Sequence, residues 1–185
     1  MNNQEFIIRE QLRGFDLVFK ITYDLFSYKK IDSGTRLLIE TLETPPSAVC
    51  LDLGCGYGAV GIAMAKLNPN GKIFFVDRDL VAVGYTKTNC QANGVENFDV
   101  RLSNGFDNLK GVKFDVIAAN LPTHIAKPAL EKMIADTKDH LNNQGQFYVV
   151  CVSRLKPYIQ RELQQTFTEV NMYSRNTNYS VLVAN

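Results

Sequence analysis

The sequence holds no tryptophan, only two histidines (His124 and His140), and four cysteines with no C-x-x-C pair among them. Two histidines without clustered cysteines leave no ligand set for a zinc or iron centre built on those side chains. Scattered thiols suit a reducing compartment better than a disulfide framework. Apolar runs such as residues 147–152 fall far short of the roughly 20 residues that span a bilayer. The opening MNNQEFIIRE carries charge where a signal peptide needs its apolar stretch. An excess of one charge is also missing: 20 Lys and Arg against 19 Asp and Glu leave a net +1. Bulk positive charge therefore cannot hold nucleic acid, although a local basic patch remains open. These absences lead us to expect a cytoplasmic protein with reduced thiols and no membrane partner; they do not address its oligomeric state.

What is present is an ordinary globular composition, 45% hydrophobic and 21% charged over 185 residues. That length predicts one domain with its own core. From residue 48 onward short apolar runs alternate with amphipathic stretches, the signature of an α/β protein with a parallel sheet. Strands are predicted at residues 49–53, 72–76, 98–102, 114–118, 146–152, 169–173 and 179–183. Helices are predicted at 59–67, 80–93, 127–141 and 156–166, with Asn142-Asn143-Gln144-Gly145 as a turn closing the third. The last two strands are joined by residues 174–178, too few for a crossover helix, so they should form an antiparallel hairpin. Residues 1–47 read as a flank or lid on the 48–185 core, with a strand at 15–22 and a helix at 33–42 capped by Asp32 or Ser33.

The strongest local signal is Asp52-Leu53-Gly54-Cys55-Gly56-Tyr57-Gly58, between an apolar strand and an apolar helix. Alternating glycines let the backbone turn sharply and let a ligand approach without a Cβ in the way. The next strand ends at Asp77, followed by Arg78, where an acid can accept both hydroxyls of a ribose. Gly56-x-Gly58-x-x-Gly61 also satisfies the weak dinucleotide fingerprint. Asp52 is unwelcome beside a pyrophosphate but suits a ligand carrying an ammonium and a sulfonium. S-adenosylmethionine is therefore the favoured ligand, with a turn that binds nothing and a dinucleotide site as alternatives.

Asp52–Gly58 together with Asp77 resembles the cofactor motifs of class I S-adenosylmethionine-dependent methyltransferases, whose Rossmann-like sheet ends in an antiparallel hairpin with helices on both faces. More closely, the chain resembles the small-domain, RsmC-like methyltransferases that modify guanine in small-subunit ribosomal RNA, in a single-domain version. Leu25-Phe26-Ser27 with Ile31-Asp32-Ser33-Gly34-Thr35, residues 53–61, and Asn89 with Asn93-Gly94 carry the likeness. The resemblance implies that Gly34 and Thr35 lie near the methionine end of the cofactor. It implies that Asn104, in Ser103-Asn104-Gly105-Phe106, serves the adenine amine, with Gly105 and Phe106 beside it. It also implies RNA, foremost ribosomal RNA, as the partner.

The catalytic segment departs from that family. Where relatives carry Asn-Pro-Pro and an aromatic, this chain has Asn120-Leu121-Pro122-Thr123, followed by His124. In such enzymes the Asn oxygen and the next carbonyl accept hydrogen bonds from a target amine and aim its lone pair at the methyl group. Asn120 and the Leu121 carbonyl can still do so; Thr123 cannot stack on a base, whereas His124 can. Methylation of a small molecule or a protein amide, and a non-catalytic cofactor-binding module, stay open beside base methylation. Arg154, Lys156 and Arg161 form either a solvated face or a phosphate patch. Tyr158 and Tyr179 read as structural, and Cys50, Cys55 and Cys151 as packing residues.

Overall fold

The computed structural model describes residues 5–23, 25, 30–122 and 126–185. Its seven-stranded sheet is built from β3 (Val49–Leu53), β4 (Lys72–Asp77), β5 (Phe98–Leu102), β6 (Phe114–Asn120), β7 (Leu141–Val152), β8 (Val170–Arg175) and β9 (Tyr179–Ala184). The spatial order is β5-β4-β3-β6-β7-β9-β8. The first five strands run parallel, and β9 pairs antiparallel with both β7 and β8. The expected Rossmann-like sheet with a terminal hairpin is what forms.

Strand residues alternate between two cores, as a period of two demands when both faces are covered. Cys50, Phe75, Ala118, Val150 and Val181 face one apolar cluster. That cluster also takes residues from α1 (Ser33–Thr41), α2 (Ala59–Leu67) and α3 (Leu80–Ala92). Leu51, Phe74, Ile117, Val149 and Leu182 face the other, packed by α4 (Lys127–His140) and α5 (Lys156–Gln164). Among the described residues no helix is long and apolar enough to cross a membrane.

Two features differ from the sequence reading. Residues 142–145 do not form a free turn: β7 already starts at Leu141, opposite Phe114, and the register slips before Gln146 meets Val116. The Asp115 carboxylate accounts for this, accepting from Asn142 Nδ2 (2.6 Å) and from Val49 N (2.8 Å). The second difference is a strand not expected, β1 (Glu5–Leu12), which pairs antiparallel with β2 (Phe15–Thr22) through an Arg13-Gly14 turn. Both turn residues have positive φ, 51° and 83°, as a tight hairpin requires. Arg13 Nη1 repays its unusual backbone by capping the end of α1, donating to the carbonyls of Ile39, Glu40 and Leu42 at 2.8–3.3 Å.

The hairpin docks through side chains that imitate a strand. Asn89 on α3 accepts from Lys20 N (2.7 Å) and donates to Lys20 O (2.9 Å). One turn later Asn93 accepts from Val18 N (3.0 Å) and donates to Val18 O (2.7 Å). The free edge of β2 is thus satisfied by two amides spaced one helical turn apart. Asn89 also donates to the carbonyl of Tyr57 at 2.9 Å, which ties the hairpin to the glycine loop.

Candidate functional site

The strand order reverses at β3, which lies between β4 and β6, and ligands of open α/β sheets bind outside the carboxyl ends at such a point. A cleft of about 470 Å³ opens there, between the loop after β3 and the segment after β6. Its size is typical of small-ligand sites.

The loop is held from below. Gly54 N and Cys55 N both donate to Val76 O, at 2.9 and 3.0 Å. Gly54 and Gly56 adopt φ of 74° and 57°, and a Cβ on either would meet nothing within 4 Å. Glycine is needed at these two positions for the left-handed backbone, and the space beside them is open. Gly58 then caps α2, and Thr86 Oγ1 fixes the loop by donating to Gly56 O at 2.9 Å.

Asp52 lines the cleft and is 2% exposed. Its Oδ2 accepts from Gly61 N at 2.8 Å. Burial pushes its carboxyl up to about 7, the Gly61 bond works against this, and the Asp77 charge adds to it. A buried acid with no ion-pair partner among the described residues, opening on a cleft, fits a ligand that brings positive charge. Asp77 is half-buried at the same edge: Oδ2 accepts from Gly56 N (2.9 Å) and Oδ1 from Asp79 N (3.0 Å). Each oxygen retains a lone pair. Arg78 also lines the cleft.

The far side is built around one amide. Asn120 Nδ2 donates to Thr35 Oγ1 (2.9 Å) and to Asp32 Oδ2 (3.2 Å). Asp32 is the cap of α1, accepting from Gly34 N (2.8 Å) and Thr35 N (3.2 Å), while the Thr35 hydroxyl donates to its other oxygen. The carboxylate can only accept, so it fixes the Asn120 amide with its NH₂ inward. Asn120 Oδ1 is left without a donor among the described residues and belongs to the cleft lining. The Leu121 side chain is buried in the second core cluster, while its N–H bonds Val150 O at 3.0 Å. Its carbonyl accepts no bond from the described residues. Pro122 is exposed at the rim. Thr123 and His124 lie outside the described residues.

Other expected residues fall elsewhere. Gly34 sits beneath the Tyr179 ring: a Cβ there would meet Cδ1 and Cε1 at 2.7 Å, so its lack of a side chain makes room for that ring. Asn104, Gly105 and Phe106 are not part of the cleft lining. Asn104 is exposed beyond Asp77, and the Phe106 ring is stacked on His140 (centroids 4.4 Å apart) within the second core. Conversely, Asp32, Tyr57 and Tyr179 line the cleft and were not singled out as site residues. Tyr179 begins β9, the last strand, with no motif to announce it. Cys55 is buried with its thiol pushed well up by burial, which suits packing and not nucleophilic chemistry. Among the described residues no cluster of His, Cys, Asp and Glu could hold a metal ion.

The methyltransferase small domain family matches residues 16–183. The uncharacterized protein YbxB of Bacillus subtilis (strain 168) is 29% identical over 94% of this chain and 88% of its own length. Ribosomal RNA small subunit methyltransferase C of Haemophilus influenzae is 32% identical over 85% of this chain and 48% of its own. The chain therefore spans about half the length of its matches among the ribosomal RNA enzymes. The structure of the T. thermophilus 16S rRNA N2 G1207 methyltransferase (RsmC), in complex with AdoMet and guanosine, superimposes with a TM-score of 0.88 at 24% identity. It covers 98% of this chain and 50% of that one.

Proposed function

The chain belongs to the methyltransferase small-domain family of S-adenosylmethionine-dependent enzymes, and we propose that its acceptor is an exocyclic base amine in RNA, foremost ribosomal RNA. The carrying observation is the acceptor pair at the cleft, Asn120 Oδ1 and the Leu121 carbonyl, neither of which has a donor among the described residues. Two adjacent acceptors match the two hydrogens of a planar amine, and holding both turns the nitrogen lone pair toward the cleft. Likeness to the ribosomal RNA methyltransferase of H. influenzae supports an RNA acceptor.

S-adenosylmethionine, when bound, supplies the activated methyl group. The residues present fit it: Asp52 would offer negative charge to its ammonium and sulfonium, Asp77 would accept from its ribose, and the backbone at Gly54 and Gly56 leaves space for close approach. Asn104 is the candidate for its adenine amine. Asp32 and Thr35 act through Asn120 as positioning residues, because their acceptor oxygens decide which end of the amide faces the cleft. Tyr179 replaces the aromatic that Thr123 does not supply, since its ring lines the cleft on the acceptor side. Proton removal after transfer needs no dedicated base, because the cation formed by methylating a ring-conjugated base amine is strongly acidic and gives its proton to water.

The test supplies purified protein with methyl-tritiated S-adenosylmethionine in an extract lacking the endogenous activity. Label that disappears on ribonuclease treatment, and migrates with a methylated base after nucleoside digestion, is expected. Label in protein or in small molecules overturns the acceptor assignment and leaves the family intact.

A further inference from the structure

A second cavity, of about 480 Å³, opens at the same end of the sheet and on its opposite face. Ser153, Lys156, Arg175, Thr177 and Ser180 are among its lining, and no acidic residue is. Neither Lys156 nor Arg175 has a carboxylate within ion-pair distance among the described residues. The other cations of this region are accounted for differently: Arg161 is paired with Glu162 at 3.2 Å, and Arg154 lies outside the lining. Ser180 is 3% exposed, and its hydroxyl lies 3.4 Å from that of Ser153. Two unpaired cations over neighbouring hydroxyls form a site for a tetrahedral anion.

Its placement ties it to the acceptor. Asn120 pairs with Val150 on β7, and Ser180 pairs with the next β7 residue, Cys151, and with Arg175. Ser180 therefore lies two strands from Asn120, roughly 10 Å at the usual strand spacing. Tyr179 and Ser180 are successive strand residues and point to opposite faces. The cleft-lining Tyr179 is thus the sequence neighbour of Ser180, which lines the second cavity beside Lys156 and Arg175.

We propose that this cavity is a phosphodiester-binding subsite for the acceptor RNA, with Lys156 and Arg175 each neutralising one backbone phosphate. The proposal rests on the RNA reading of the catalytic cleft. With a net charge of only +1, the chain must concentrate its phosphate affinity locally, and this cavity does so.

The experiment measures binding of a short, fluorescein-labelled single-stranded RNA of mixed sequence to the full chain across a range of potassium chloride concentrations. Each phosphate contact contributes about 0.7 to the salt slope on a single strand, so K156Q/R175Q should lower it by about 1.4. Taking the two proteins to bind equally at 1 M salt, that slope lowers affinity at 0.1 M about 25-fold. Affinity for S-adenosylhomocysteine should not change, and K156R/R175K should retain the slope. K66Q, which removes a charge near the amino ends of the strands, at the opposite end of the sheet, should not produce the same loss. An unaltered slope in K156Q/R175Q overturns the subsite and leaves base methylation standing if RNA still takes up label. Absence of salt-dependent RNA binding in the unaltered protein, with no label in RNA, overturns both.

Discussion

Asn89→Ala should weaken both the fold and the cofactor site, whereas Asn93→Ala should weaken the fold alone. Asn89 is fully buried and its amide makes three bonds, to Lys20 N, Lys20 O and Tyr57 O, at 2.7–2.9 Å. Each buried group left without a partner costs about 1–3 kcal/mol. Lys20 is solvent-exposed, so water can recover part of its two bonds, but the Tyr57 carbonyl bond is buried. A net loss of about 3 kcal/mol follows, which for a chain of this size lowers Tm by about 6–12 °C. Asn93 makes three comparable bonds, to Val18 N, Val18 O and Asn89 O, at 2.7–3.0 Å. None of them touches the glycine loop.

Thermal melts should therefore place the two variants close together, while calorimetry with S-adenosylhomocysteine separates them. Asn89→Ala releases the Tyr57 carbonyl, between Gly56 and Gly58, from its amide donor, and the variant's affinity should drop severalfold. Asn93→Ala should bind as the unaltered protein does. Equal ligand affinity in both variants would refute the link between hairpin docking and loop geometry. An Asn89→Ala melt that coincides with the unaltered protein would refute the docking itself.

Three further outcomes are expected. Tyr179→Ala should weaken acceptor binding by about 1–3 kcal/mol, the worth of one stacked base, and Tyr179→Trp, the sole indole of a chain without tryptophan, should lose fluorescence when RNA is added to the protein saturated with S-adenosylhomocysteine. Quenching by S-adenosylhomocysteine with no further change on adding RNA would assign the ring to the cofactor instead. Asp77→Ala should cost about 1–3 kcal/mol in affinity for S-adenosylhomocysteine and much less for its deoxyribose analogue; equal losses would remove the ribose assignment. Asp52 carries a folded-state pKa raised to about 7, so its contribution to stability is present below the unfolded value of about 4 and is lost as pH rises through about 7. A cationic ligand needs the ionised form, so its affinity should rise with pH up to about 7, and Asp52→Asn should flatten that rise. A profile unchanged in Asp52→Asn would place the titrating group elsewhere.

Much of the core was legible because parallel strands buried on both faces are short apolar runs punctuated by turn residues. The helix at Ala59–Leu67 and the strands at Val49–Leu53 and Phe98–Leu102 fall where the pattern puts them. The first strand was not legible for the same reason in reverse. Of its eight residues only Ile8 and Leu12 are buried, so its alternation is hidden among charges such as Glu5, Arg9 and Glu10. Asn89 and Asn93 were visible as a pattern, but their work as a surrogate strand depends on β2 being there to receive them. No spacing rule within one helix contains that information.

The acceptor segment shows where a motif is narrower or broader than its physics. Asn-Pro-Pro with an aromatic reads as one unit, so Leu121 and Thr123 look like damage to it. The proposed base-amine acceptor site asks for three separable things: an amide oxygen held outward, a second carbonyl, and a flat ring. The Leu121 side chain enters the second core cluster while its carbonyl has no donor among the described residues, so proline is one way among several to present that oxygen. Asn120 is oriented by Asp32 and Thr35, which come from the start of α1. Tyr179 comes from the last strand and is admitted because Gly34 lacks a Cβ. The sequence carries each part, but distributes them over three elements that only the sheet order brings to one edge.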